Sequence, residues 1–117
     1  MESILTSVKK VIGLDENYTA FDTDIIIAIN TALFTLWQLR VGINKASPYK
    51  ITGKTETWND FIEDGKIEMC KSYVVLRVRL LFDPPTSGFL VDAIKEQIRE
   101  FEFRMIVGSD EYEFSLS

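Results

Sequence analysis

Apolar residues recur at helical spacing through four stretches of the chain. In residues 3–12, Ile4, Leu5, Val8, Val11 and Ile12 form one stripe, Lys9 and Lys10 stand in the last turn, and Gly13 is placed to end the helix. In residues 23–41, Ile25, Ile26, Ile27, Ala28, Ile29, Ala32, Leu33, Phe34, Leu36, Trp37 and Leu39 occupy most of the circumference. Asp24, Thr31, Thr35 and Gln38 are its one polar seam, Asp22 or Thr23 is placed to cap it, and Gly42 follows its end. A helix apolar almost all round is buried almost all round. In so short a chain such a helix either threads the centre of a bundle or lies partly under another subunit.

Residues 66–82 read two ways. Val75-Leu76-Arg77-Val78-Arg79-Leu80 alternates and is β-branched, as a strand would be. No turn signal interrupts Lys66 to Phe82, however, and that span exceeds the ~5–6 residues of an ordinary strand, so length favours a helix. Asp83-Pro84-Pro85 then breaks the chain, because proline lacks the N–H and displaces the preceding residue from helical geometry. Thr86 or Ser87 is placed to cap a last helix over residues 86–107. Its apolar stripe is Leu90, Ala93, Ile94, Ile98, Phe101 and Met105, with Glu100 and Arg104 spaced for an ion pair.

Between these helices, residues 14–21 are a linker in which Tyr18 and Phe21 are expected to anchor against the domain. Residues 41–56 form a long loop. Thr57-Trp58-Asn59-Asp60 resembles a capping box opening a short helix that ends near Gly65, packed inward by Trp58, Phe61 and Ile62. Tyr49 to Thr55 and Glu111 to Leu116 alternate with period two, the first carrying Lys50 and Lys54 and the second Glu111 and Glu113. An isolated two-stranded ribbon is marginal in water. Both segments are therefore expected to order by strand addition to a neighbour. The fold class this predicts is all-α: a bundle of four to five helices over residues 1–108 and an extended tail over 109–117.

Composition narrows the function. The 117 residues carry 13 basic and 18 acidic side chains, a net charge of −5, which disfavours gripping nucleic acid because duplex binding neutralises several phosphates. There is no histidine, so the commonest general base and metal ligand is missing. The single cysteine, Cys70, sits among apolar residues and reads as a small buried hydrophobe. Gly53-Lys54-Thr55 lacks the first glycine and the strand-to-helix setting of a phosphate loop. No enzyme activity, cofactor, metal site or membrane span is expected. The start of the chain lacks the pattern of a signal peptide, so synthesis in a cytosol is expected.

The run Lys71-x-Tyr73-Val74-x-Leu76-Arg77-Val78-Arg79-Leu80-Leu81-Phe82-Asp83-Pro84-Pro85, followed by Ile94-Lys95-Glu96-Gln97-Ile98 and Glu102-Phe103-Arg104-Met105, resembles the head–tail connector (adaptor) proteins of long-tailed bacteriophages. The resemblance implies a structural virion protein. Its subunits would form a ring, twelve-fold by that resemblance, that docks on the portal protein and receives a tail-side stopper or completion protein. DNA would pass through the lumen without sequence-specific binding. The alternative is a small helical DNA-binding protein, such as a packaging-enzyme small subunit or a regulator, which would need clustered Lys and Arg on one helix. Candidate contact residues are Trp37 on the over-apolar helix, Phe103 off the main stripe of the last helix, and Arg77 and Arg79, about 200° apart on theirs. The two alternating segments add Tyr49, Ile51, Tyr112, Phe114 and Leu116.

Overall fold

Helix α1 (Ile4–Val11) starts where the Ser3 hydroxyl accepts the Thr6 N–H at 3.1 Å. It stops at Gly13, whose φ of +88° suits glycine. The Leu14 N–H then donates to the Lys9 carbonyl at 2.8 Å and the Gly13 N–H to that of Lys10, the paired bonds of a Schellman ending. The computed structural model describes residues 2–43 and 46–116, with side chains through residue 107.

Helix α2 (Asp22–Gln38) departs from expectation at both ends. Phe21, not Asp22 or Thr23, holds the cap position, and Asp22 is the first helical residue, its carboxylate engaged elsewhere. The helix closes three residues before Val41, with Arg40 at φ +63° and the Val41 N–H donating to the Leu36 carbonyl at 3.0 Å. This is again a Schellman ending, with arginine where glycine is usual. Gly42 follows at φ +111°, where a Cβ would lie 2.4 Å from the Phe61 carbonyl oxygen, so a close approach adds to the backbone demand for glycine.

Helix α3 (Ile67–Phe82) is helical throughout, and the strand alternative for Val75–Leu80 falls. It packs against α1 and on α2 through Cys70, Tyr73, Val74 and Val78, and it also carries α4 (Gly88–Leu116). The Asp83-Pro84-Pro85 corner joins α3 to α4: the Asp83 N–H closes α3 on the Arg79 carbonyl at 3.0 Å, and the Ser87 carbonyl opens α4 on the Val91 N–H at 3.1 Å. The buried face of α4 is Ile98 and Met105, flanked by half-buried Ile94 and Phe101, whereas Leu90 and Ala93 are exposed. Helix continues through residues 109–116, so the extended strand expected at Glu111–Leu116 is not there. The apolar alternation of that short segment is equally compatible with helix, and continuity with α4 decides it.

The long loop is corrected more sharply. Among the described residues no strand forms, and only an isolated bridge links Ser3 with Thr57. Tyr49 and Ile51 are interior residues, at 3% and 0% exposure. The Asn30 side chain on α2 takes the place of a partner strand: its Oδ1 accepts the Ile51 N–H at 2.8 Å and its Nδ2 donates to the Ile51 carbonyl at 3.1 Å. Tyr49 stacks on Phe61 with ring centroids 5.1 Å apart. The period-two signal marks side chains turned alternately into the core of their own subunit, not a free strand seeking a neighbour. The expected short helix is two 3₁₀ turns, Trp58–Asp60 and Asp64–Lys66. Asp60 accepts the Thr57 N–H at 2.8 Å, and Trp58 is buried with its indole N–H on the Ser7 hydroxyl at 2.9 Å.

Candidate interaction surfaces

Lys9 organises the entrance to α2. Its side chain is wholly buried, and its three protons meet the Glu16 carbonyl at 3.1 Å, the Tyr18 carbonyl at 2.7 Å and the Asp22 carboxylate at 2.8 Å. A buried ammonium is tolerated only when paired and fully hydrogen-bonded, and here the pairing pins the 14–21 linker against α1. The pinned linker presents Tyr18 and Phe21, which are half-exposed and continue into an aromatic ladder: Tyr18 to Phe21 at 5.8 Å, Phe21 to Phe82 at 5.4 Å. Sequence reasoning gave Lys9 only the role of a basic last-turn residue. Its position four residues after Leu5, on the apolar face that Val11 was expected to complete, was the available signal; Val11 is the exposed one.

Beside this ladder lies a concavity of about 550 Å³ lined by Phe21, Ile27, Ala28, Leu81 and Phe82, with Asp24 and Thr31 at its polar margin. Ile27 (61% exposed) and Phe34 (43%), seven residues apart, continue it as a row along the outer side of α2, where Phe34 packs on half-buried Trp37 at 5.6 Å. So α2 is not buried all round. Its inner face of Ile25, Ile29, Leu33 and Leu36 is sealed, and its outer row faces water.

Helix α4 repeats this division. A polar cluster fastens its inner face: the Tyr73 hydroxyl donates to Glu102 at 2.6 Å, and Arg77 donates to the Tyr73 hydroxyl at 2.8 Å and to the Thr35 hydroxyl at 3.2 Å. Burial first, and the bond to Glu102 second, push the Tyr73 phenol up to about 12. Arg77 therefore ties α2, α3 and α4 together within the subunit, whereas Arg79 is exposed. Glu102, between Ile98 and Met105 on the apolar stripe, and Asn30, between Ile26 and Leu33, show the same signal as Lys9: a polar residue at an apolar period that turns inward to a partner, half-buried in these two cases. The outer face of α4 carries Phe89 (81% exposed) and Phe103 (66%), with the ion pairs Glu96–Arg99 and Glu100–Arg104 between and beside them. A third feature, a groove of about 660 Å³ between α3 and α4, is lined by residues of mixed character including Glu68, Lys71, Phe101 and Arg104.

Against the family models, the chain matches the one described as phage connector protein over residues 4–112. The chain belongs to the phage connector family. No curated protein and no solved structure matches it significantly. Membership gives a connector role at the neck of the virion, in contact with other head or tail proteins of the phage, in a family of structural proteins.

The arrangement suits that role. Burial, reinforced by the charge of Glu63, pushes the Cys70 thiol up to about 12, so it is not a nucleophile at neutral pH. Among the described residues no three His, Cys, Asp or Glu converge as a metal site, and no helix is long and apolar enough to cross a membrane. Of the candidate contact residues, Phe103 and Arg79 stand on the surface, Trp37 lies half-buried beside the outer row of α2, and Arg77, Tyr49 and Ile51 face inward. The side chains of Tyr112, Phe114 and Leu116 lie outside those described. Ile27, Phe34 and Phe89 were not singled out; the apolar surplus of residues 23–41 was visible, but not which side would be left uncovered.

Proposed function

We propose that this connector forms a homo-oligomeric ring that docks on the portal protein, receives a tail-side completion protein and lets DNA pass through its lumen. The observation that carries this reading is the surplus of large apolar side chains left in water, Phe21, Ile27, Phe34, Leu81, Phe89 and Phe103, on a chain whose core is already filled. Exposed apolar surface on this scale marks interaction sites. Passage of DNA without capture is supported by the state of the cations. Lys9 is buried on Asp22, Arg77 lies beside Glu102, Lys66 beside Glu63, and Lys10, Arg99 and Arg104 each pair with a carboxylate. Six of the 13 basic side chains are thus held by carboxylates, and the net charge of −5 opposes neutralising several phosphates.

Light scattering and native mass spectrometry of the purified chain, with and without its portal protein, test the proposal. Rings in either sample are the expected result, and a chain that stays monomeric on the portal would refute it. Sub-micromolar binding to duplex DNA at ~150 mM salt, the strength of specific recognition, would favour the DNA-binding alternative instead.

A further inference from the structure

The geometry points to a head-to-tail contact between copies of this chain, in which the outer face of α4 on one subunit lies along the outer row of α2 on the next. This rests on the ring reading above and specifies which surfaces would build the ring.

Three observations select a second copy as the occupant of the α2 row. The first is length. Phe21 and Phe34 are 13 positions apart and Phe89 and Phe103 are 14 apart, so at ~1.5 Å per residue both apolar rows extend about 20 Å. Phe89 and Phe103 also fall within about 40° of each other around the helix at ~3.6 residues per turn, so a single face presents both. The second is shape. Phe89 and Phe103 are the two most exposed large apolar side chains described, and the α2 row opens at one end into the concavity between Ile27 and Leu81. A projecting aromatic ring and an apolar recess are the components of an interface hot spot.

The third is charge. The α2 row carries one charged residue, Asp24, with Ile27, Thr31, Phe34 and Gln38 otherwise neutral along it. The α4 face carries the closed pairs Glu96–Arg99 and Glu100–Arg104, together with exposed Asp92. Laying one on the other brings in no unpaired cation and only two carboxylates without a partner, Asp24 and Asp92, so few charges are left stranded, the costly outcome in a contact. Within one subunit the two surfaces do not cover each other: α3 packs against both helices, and α2 and α4 share little beyond the Arg77 bridge. Two different surfaces on one chain make a heterologous contact, the kind that propagates and closes into a ring when the rotation allows.

Two double variants test this, I27S/F34S on the α2 row and F89S/F103S on the α4 face. All four side chains are exposed, so each variant should unfold like the wild type. By native mass spectrometry up to about millimolar concentration, where a contact at the weak end of affinity is half-formed, wild type should form multimers and each variant alone should be about 30-fold or more weaker in association. A one-to-one mixture of the two variants should form a discrete heterodimer, because each retains the surface the other lacks. Variants that assemble like wild type, a mixture that yields no heterodimer, or a wild type that stays monomeric in this range would overturn the pairing. The ring reading itself falls only if wild type also fails to assemble on the portal, so the two failures are separable.

Discussion

Helix α1 and helix α4 spend their residues in opposite ways. The eight residues of α1 place Ile4, Leu5 and Val8 in the core and seal even Lys9 inside it. Helix α4 is 29 residues long, yet over its described side chains only Ile98 and Met105 are buried, while Phe89 and Phe103 stand in water. Stability is concentrated where α1, α2 and α3 meet. Helix α4 is held by a narrow apolar seam and one polar cluster, and the rest of its surface is left for other contacts. Segments with few buried contacts open at lower free energy than the core, so the same division should govern dynamics.

The contrast breaks most readily at Lys9. Lys9→Ala removes a buried cation and leaves Asp22 and two carbonyls without their donor, so a loss of ~3–5 kcal/mol in denaturant-measured stability is expected. A loss below about 1 kcal/mol, within the range of surface pairs, would mean the pin is ornamental. Core truncation comes next. Leu33→Ala, at a fully buried site, should cost ~2–5 kcal/mol. Leu80→Ala, at a half-buried site on α3, should cost less.

The polar cluster sharpens the other side of the comparison. Tyr73→Phe removes the hydroxyl between Glu102 and Arg77 and should cost ~1–3 kcal/mol. Its particular signature is faster amide exchange in α4 with α1 unchanged; equal acceleration in both would show that α4 is not a separately held element. The smallest effect is read in alkali. Cys70, Tyr73 and Tyr49 all titrate above their ordinary values because burial disfavours the charged form, Cys70 and Tyr73 at about 12. Each stays protonated in the folded chain after it has ionised in the unfolded one. Stability should therefore fall as the pH rises past about 9 and on towards 12, by ~1.4 kcal/mol per pH unit for each group in its window. Cys70→Ala should flatten the early part of that slope.

Much of this organisation was legible in the sequence. The four helices, the Asp83-Pro84-Pro85 corner, Gly13 as a helix stop and the inward packing of Trp58 and Ile62 follow from local period and turn chemistry, which act over a few residues. What was not legible depends on which distant element arrives. Ile51 reads as a strand residue because nothing nearby reveals that Asn30, 21 positions earlier, will supply its hydrogen bonds. The exposure of Ile27 and Phe34 could not be separated from the burial of Ile29 and Leu33, because α2 is apolar on both sides and only the arrival of α3 chooses between them. The terminal alternation of residues 111–116 is too short for its period to be told from helix without the preceding α4.

Amide hydrogen exchange of the chain, free and after assembly on the portal, tests the division of labour most directly. The account predicts that in the free chain α4 exchanges through openings of lower free energy than α1, α2 and α3. On assembly, protection should rise in α4 and along the outer side of α2, and stay unchanged in α1. Uniform exchange across all four helices, or assembly that leaves α4 and α2 unprotected, would contradict it.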